Sequence, residues 1–205
     1  MTIYILIITV LVSVLAFSNR ELLAKLMFNP YMVKHGNQWY RAITHALIHG
    51  SWMHLAVNMW VLWNFGDFTE DSFTRFRGIS GPWIYLALYV GGVLFASLPS
   101  FRRHQDNFHY NSLGASGAVS AVLFASIFFA PTMSIYLMFI PIPIPAIVFG
   151  VVYLVLEWYL DKNANDNLAH DAHFWGAGFG FIFSMVMAPA QMEWFIAEIR
   201  NLIGI

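Results

Sequence analysis

Long runs without charged side chains divide the chain. They cover residues 1–19, 42–66, 78–101, 107–156 and 172–192. Because a membrane-spanning helix needs about 20 mostly apolar residues, four of these runs each predict one span. The run at 107–156 is too long for one helix, and Pro131 with the stretch Pro141–Pro145 divides it into spans near 115–130 and 145–160. The pattern therefore predicts an all-α membrane protein of six transmembrane helices in a single domain, 1–205, with both termini on one side.

Composition agrees with a membrane protein and narrows its chemistry. Apolar residues make up 59% of the chain and charged residues 10%, whereas about a quarter of an ordinary soluble domain is charged. The net charge of −1 provides no basic field for nucleic acid. Because the sequence contains no cysteine, disulfides, thiol catalysis and cysteine-based metal centres are excluded.

The residues that flank the predicted spans indicate whether the first span is cleaved and on which side of the membrane the termini lie. The first run lacks a basic segment at its start, so we expect a retained anchor rather than a signal peptide. If the N-terminus is cytoplasmic, the internal segments hold only Arg75, Arg77 and Arg200. The external loops then hold Arg20, Lys25, Lys34, Arg41, Arg102, Arg103 and Lys162. This distribution opposes cytoplasmic termini, since cytoplasmic loops usually carry the excess of positive charge.

Strongly polar residues inside predicted spans are candidates for function, because they are costly in hydrocarbon. His54 and Asn58 are four residues apart and share a helix face. Ser116 begins one span between Ala115 and Gly117, and His173 begins the last. Taken singly, each has a structural interpretation: an interhelical hydrogen bond for His54 and Asn58, an interfacial histidine for His173, and close helix packing at Ser116.

Taken together, these residues favour a common site. Gly176 and Gly180 follow His173 by three and seven residues, so they lie roughly on its helix face. Small residues at Ser116 and Gly117 would allow the two helices to approach closely. Close backbones would bring the serine hydroxyl and the imidazole into hydrogen-bonding contact.

Several motifs occur in an order that resembles the rhomboid family of intramembrane serine proteases. Gly114-Ala115-Ser116-Gly117 is similar to that family's G-x-S-G motif, and Ala172-His173 precedes the glycine pair. The remaining motifs are His54-x-x-x-Asn58, the first-loop stretch Trp39-Tyr40-Arg41, and Gly66 with Glu70 at the end of the second helix.

The resemblance implies a Ser–His dyad, with Ser116 as nucleophile and His173 as general base. It also implies an oxyanion hole formed by His54, Asn58 and the Ser116 backbone N–H. The residues expected to support this site are Gly114, Gly117, Ser120, Gly176 and Gly180. Many family members carry an aromatic residue where this chain has Ser120, and we expect that hydroxyl to bond His173 instead.

The resemblance also implies the biological setting. We expect no cofactor and no metal, single-span transmembrane proteins as substrates, and membrane lipid as surroundings. Both termini would be cytoplasmic in a cell (inner) membrane, with the site opening outward. We expect the histidines His35, His104, His109 and His170 to lie near loops in solvent. Asp171 is near His173 in sequence, but nothing in the pattern directs its carboxylate at the ring.

Other classes fit the residues less well. An α/β-hydrolase elbow requires G-x-S-x-G, but the last position is Ala118. His45 and His49 have the spacing of a zinc helix, yet Ala46 replaces the glutamate of H-E-x-x-H, so we expect them to brace the first loop. A transporter is disfavoured because the buried polar residues cluster. A catalytically inactive rhomboid-like protein that binds or remodels transmembrane clients is the main alternative.

Overall fold

The computed structural model describes residues 1–137, 140–163 and 169–205. The chain is mostly helical. Its helices are α1 (Thr2–Ser18), α2 (Arg20–Leu26), α3 (Pro30–Gly36), α4 (Arg41–Thr44), α5 (Trp52–Arg77), α6 (Gly81–His104), α7 (Ser116–Phe129), α8 (Ala146–Asn163), α9 (His170–Met187) and α10 (Gln191–Ile203). Two strands, β1 (Ser134–Leu137) and β2 (Ile140–Pro145), pair antiparallel, with Ser134 opposite Pro145 and Ile135 opposite Ile144.

Helices α1, α6, α7 and α8 agree with the predicted spans, whereas the runs at 42–66 and 172–192 depart from the helices that form there. The run at 42–66 does not form one helix, because α5 begins only at Trp52, where Ser51 caps it by accepting a hydrogen bond from the His54 backbone N–H at 3.1 Å. Residues before that cap form short helical turns instead. In the last run, 172–192, helix α9 ends at Met187. A separate helix, α10, begins at Gln191.

The number of membrane spans is not settled by helix length. Among the described residues, one continuous helical stretch, Trp52–His104, is long and apolar enough to cross a membrane. Thr2–Ser18 and Ser116–Phe129 are apolar but shorter. The six-span count therefore stays a prediction.

Helix α7 lies at the centre of the molecule. Every residue from Gly117 to Phe129 is buried, and α5, α6 and α9 pack around it. A helix that is apolar on all sides is expected in this position, because it has no face to present to water. The serine at its first position is therefore held by a rigid, fully packed element.

The contact between α7 and α9 is a contact between backbones. A Cβ atom added at Gly176 would lie 2.1 Å from the carbonyl oxygen of Gly117, and one added at Gly180 would lie 2.0 Å from the carbonyl oxygen of Ala121. Even a methyl group cannot fit at either position without moving one helix. The glycine spacing that the sequence shows thus marks the closest helix pair around α7.

This packing predicts opposite effects at two neighbouring glycines of α9. Gly180→Ala should destabilise the protein by about 1–3 kcal/mol, because the added methyl group overpacks the interface. Gly178→Ala is the matched control, since a Cβ there would meet nothing within 4 Å, and it should be neutral or stabilising by up to about 1 kcal/mol. Thermal unfolding of both variants in detergent measures the difference. Equal melting temperatures would contradict the backbone contact.

Candidate active site

Ser116 is positioned by a tight turn just before α7. Gly114 has φ +118°, a conformation that side chains other than glycine rarely adopt. Its N–H donates to the carbonyl of His45 at 3.0 Å. A Cβ there would also lie 2.7 Å from Cε1 of His54. Only glycine therefore fits between the α5 histidine and the start of α7.

The structure brings Ser116 and His173 together. His173 Nε2 lies 2.7 Å from Ser116 Oγ, and both side chains are half-buried. The close approach of α9 to α7 makes this distance possible, because Gly176 is one turn beyond His173 and touches the carbonyl of Gly117. A histidine within hydrogen-bonding reach of a hydroxyl has the geometry needed to take its proton.

The other ring nitrogen of His173 faces a carboxylate, which the sequence reasoning missed. His173 Nδ1 lies 3.1 Å from Glu157 Oε1, and His170 Nδ1 lies 2.6 Å from Glu157 Oε2. The prediction that His170 is solvated is wrong, because it is buried against Glu157. A signal was available: Glu157 falls within the predicted span 145–160, where an ionisable side chain is unexpected.

Asp171 has a different role from Glu157. Its Oδ2 accepts a hydrogen bond from the Ser100 hydroxyl at 2.9 Å, and its Oδ1 accepts one from the Ala172 backbone N–H at 2.8 Å. Asp171 is buried. It therefore ties the first turn of α9 to α6.

Ser120 does not make the hydrogen bond expected of it. Its hydroxyl pairs with the Tyr153 hydroxyl on α8 at 2.7 Å instead of with His173. Tyr153 lies one turn before Glu157 on the same helix, so two α8 side chains face this region. The expectation failed because it assumed that the nearest polar partner would come from α9.

His54 and Asn58 lie on the α5 side of the site. The Asn58 side chain is buried and donates to the carbonyl of His54 at 3.0 Å. The His54 ring lies against Gly114 and stands edge-on to the ring of His49, with 4.9 Å between ring centroids. Within the described part of the chain, the His54 ring nitrogens have no hydrogen-bond partner. They are placed beside the turn that carries Ser116.

His45 and His49 lie next to the turn before Ser116 and hydrogen-bond to neighbouring helices. His45 Nε2 is 3.1 Å from the Ser97 hydroxyl on α6, and His49 Nδ1 is 2.9 Å from the Ser13 hydroxyl on α1. Burial lowers the pKa of His45 to about 4 and that of His49 to about 3, so both are neutral at physiological pH. The two rings connect the segment before α5 to two different helices.

Arg41 organises the first loop. Its Nη1 donates to the backbone carbonyls of Ala24 and Met27, each at 2.8 Å, and its Nε donates to the Gln38 side chain at 2.6 Å. The guanidinium is buried and its three hydrogen bonds connect separate parts of the loop. Within the stretch Trp39-Tyr40-Arg41, the arginine thus holds the first loop together next to the site.

One group of residues has the ligand types that zinc accepts. The ligand atoms of Glu157, His170 and His173 lie within 4.8 Å of one another. The same atoms already form the hydrogen bonds described above, so the cluster is satisfied as it stands. An ion bound there would occupy one His173 nitrogen and would compete with one of those contacts.

A small cavity lies behind the serine, between α6 and α7. Its volume is about 30 Å³. Its lining residues are mostly small, among them Ala96, Ser97, Gly117 and Ala118. These small lining side chains favour a small group in the cavity.

The fold and the site define a class of protein: a mostly helical chain in which a serine and a histidine meet where two helices touch through glycines. A family model for the rhomboid domain matches residues 36–190. The chain therefore belongs to the rhomboid family, whose proteins are membrane proteins.

A curated relative agrees with this assignment. RHOMBOID-like protein 12, mitochondrial, from Arabidopsis thaliana is 29% identical over 170 residues, which covers 74% of this chain and 48% of the relative. The chain thus spans about half the length of the curated relative that it matches.

Proposed function

We propose that this protein is an intramembrane serine endopeptidase that cleaves transmembrane segments of other membrane proteins near one membrane face. The observation that carries the proposal is the 2.7 Å contact between Ser116 Oγ and His173 Nε2 at the start of the buried helix α7. A serine is a weak nucleophile unless a neighbouring base removes its proton. The proposal includes a six-span, multi-pass membrane topology.

The reaction follows from this geometry. Ser116 Oγ attacks the carbonyl carbon of the scissile peptide bond, its proton passes to His173 Nε2, and the carbonyl electron pair moves to the oxygen. The imidazolium then protonates the leaving nitrogen as the C–N bond breaks, which leaves an acyl-enzyme. A water molecule, deprotonated by the same histidine, hydrolyses the ester and restores the serine.

The developing oxyanion requires donors that are already in place. We assign this role to the Ser116 backbone N–H and the side chains of His54 and Asn58. Ser116 is the first residue of α7, where backbone N–H groups lack intrahelical acceptors and the helix dipole is positive. His54 has uncommitted ring nitrogens, and the Asn58 amide has a second hydrogen beyond the one that bonds the His54 carbonyl.

The position of the site defines the kind of substrate. Ser116 lies at the start of α7, hence near one membrane face, and the cavity beside it is lined mostly by small residues, which favours a small side chain. Peptide bonds in a membrane helix are bonded internally and shielded from attack. The client, in our proposal a single-span protein, must therefore unwind near that face, with a small residue before the cut.

The cellular setting is part of the proposal. We place both termini in the cytoplasm with the site opening outward, in a cell (inner) membrane. The Arabidopsis relative carries the description mitochondrial, which makes a mitochondrial inner membrane the alternative location. The loop cations that oppose this orientation include Arg41, whose guanidinium is used inside the protein to hold backbone carbonyls.

The main alternative is a catalytically inactive rhomboid-like protein that binds or remodels transmembrane clients. Such a protein needs no nucleophile paired with a base. The short Ser116–His173 contact favours the protease, since simple packing of two helices does not require this hydrogen bond.

Removing either reacting group should abolish cleavage and leave the fold intact. Ser116→Ala and His173→Ala should each lower cleavage of a transmembrane substrate by about 10⁴-fold or more, and Ser116→Ala should not react with a fluorophosphonate probe. Ser126→Ala is the matched control, because that buried α7 hydroxyl bonds a carbonyl of its own helix, that of Leu123, at 2.6 Å. Wild-type protein that neither reacts nor cleaves would favour the client-binding alternative.

Asn58 should act mainly in the transition state. Asn58→Ala should lower kcat by about 10²–10³-fold with little change in KM, because its donor serves the oxyanion. Asn64→Ala is the control: its amide bonds the carbonyl of Trp60 at 2.7 Å, in the same four-residue arrangement on the exposed face of α5. A change in KM alone would make Asn58 an interhelical bond rather than an oxyanion donor.

Cleavage should depend on how easily the substrate helix unwinds. In a panel of model single-span substrates with alanine before the cut, Gly or Pro near the outer end should speed cleavage, and Leu should slow it. Substrates with matched binding separate unwinding from affinity. If the rate ignores this gradient, or the cuts map to the bilayer centre, the proposed access route is wrong.

A further inference from the structure

Glu157 and His170 lie behind the Ser116–His173 pair, and the geometry points to a role for both in catalysis. We propose that Glu157 is a positioning residue that fixes and electrostatically supports His173, and that His170 in turn fixes Glu157. The inference rests on the proposed protease function and extends its two-residue centre to a chain of four side chains.

The burial of Glu157 needs an explanation that packing cannot supply. It is 7% exposed, whereas its α8 neighbours Val155, Leu156 and Trp158 are largely exposed. Removing a carboxylate from water costs several kcal/mol unless partners compensate, and an apolar residue of similar size would fill the space without that cost. The carboxylate is therefore better explained by what it contacts than by the volume it occupies.

Its first oxygen controls the protonation of His173. A carboxylate only accepts hydrogen bonds, so the contact from Glu157 Oε1 to His173 Nδ1 at 3.1 Å requires a proton on Nδ1. The lone pair of the neutral ring then lies on Nε2, which is 2.7 Å from Ser116 Oγ. This is the tautomer that can accept the serine proton.

The same contact supports the charge that develops during attack. When the Ser116 proton moves to Nε2, the ring becomes a cation, and its Nδ1–H remains hydrogen-bonded to the Glu157 carboxylate. No proton moves to Glu157 in this step. A fixed negative charge beside the imidazolium stabilises it most effectively where water is excluded.

The second oxygen of Glu157 is held separately. His170 Nδ1 lies 2.6 Å from Oε2, and the His170 side chain is buried. His170 precedes His173 by three residues on α9, so both rings project from one helix face. Because each oxygen has its own imidazole, the carboxylate cannot rotate without losing a hydrogen bond. This second contact gives His173 a rigid partner.

The first test removes the charge of Glu157 while keeping its shape. Glu157→Gln should lower kcat by about 10²–10⁴-fold with KM unchanged, because a neutral amide no longer supports the imidazolium and can favour the wrong tautomer. Glu157→Leu should lower kcat at least as much. Asp161→Asn, one turn later on α8 and paired with Arg103 at 3.4 Å, is the control and should cleave at the wild-type rate.

The second test separates positioning from packing at His170. His170→Asn keeps an N–H donor near the position of Nδ1, and should retain kcat within about tenfold. His170→Leu fills the space without a donor and should lose at least ten times more. Melting temperatures of all variants show whether the fold is preserved. Because the two His170 variants differ mainly in the donor, better activity of the asparagine variant identifies the hydrogen bond as the cause.

The outcomes distinguish this inference from the proposed function. Wild-type cleavage and fluorophosphonate labelling, with folded Glu157→Gln impaired in kcat alone, support both. Wild-type activity with an unimpaired Glu157→Gln variant, or with equal kcat in the two His170 variants, overturns the positioning role and leaves the Ser116–His173 protease standing. Wild-type protein that neither labels nor cleaves overturns the proposed function and this inference with it.

Discussion

The site depends on one constraint: α7 and α9 must touch through their backbones. Gly176 against the Gly117 carbonyl and Gly180 against the Ala121 carbonyl leave no space for a methyl group. Ser116 and His173 are 57 positions apart in the chain, and short side chains can bridge two helices only at such a separation. Helix packing in a membrane gains little from hydrophobic burial, so small residues and close van der Waals contact supply the attraction.

A second constraint comes from the buried polar groups, which must satisfy one another. Glu157 bonds two histidines, Asp171 bonds Ser100, and Ser120 bonds Tyr153. A group left unpaired in such surroundings costs more than a paired group gains. These hydrogen bonds therefore specify how α8 and α9 are rotated about their axes, and the rotation determines which nitrogen of His173 faces the serine.

The first loop, which lies between α1 and α5, supports the site from one side but supplies no reacting group. Arg41 donates hydrogen bonds to backbone carbonyls of this loop. The neutral rings of His45 and His49 connect the loop to α6 and α1. The carbonyl of His45 then receives the N–H of Gly114 and holds the turn before Ser116. The position of the nucleophile thus depends on residues about 70 positions earlier, through one backbone hydrogen bond and the side-chain hydrogen bonds of a guanidinium and two imidazoles.

The sequence by itself determined the family resemblance, the pairing of Ser116 with His173, and helices α1 and α6 to α9 to within a few residues, but it did not predict the separate helix α10. Charge-free runs and glycine spacing carry this information because membrane helices require both. Only the tertiary structure decided that Glu157 reaches His173 and that Ser120 turns to Tyr153. Helix α8 is apolar nearly all round, so hydropathy does not fix its rotation, and the partners of its polar residues emerge only once it packs against α7 and α9.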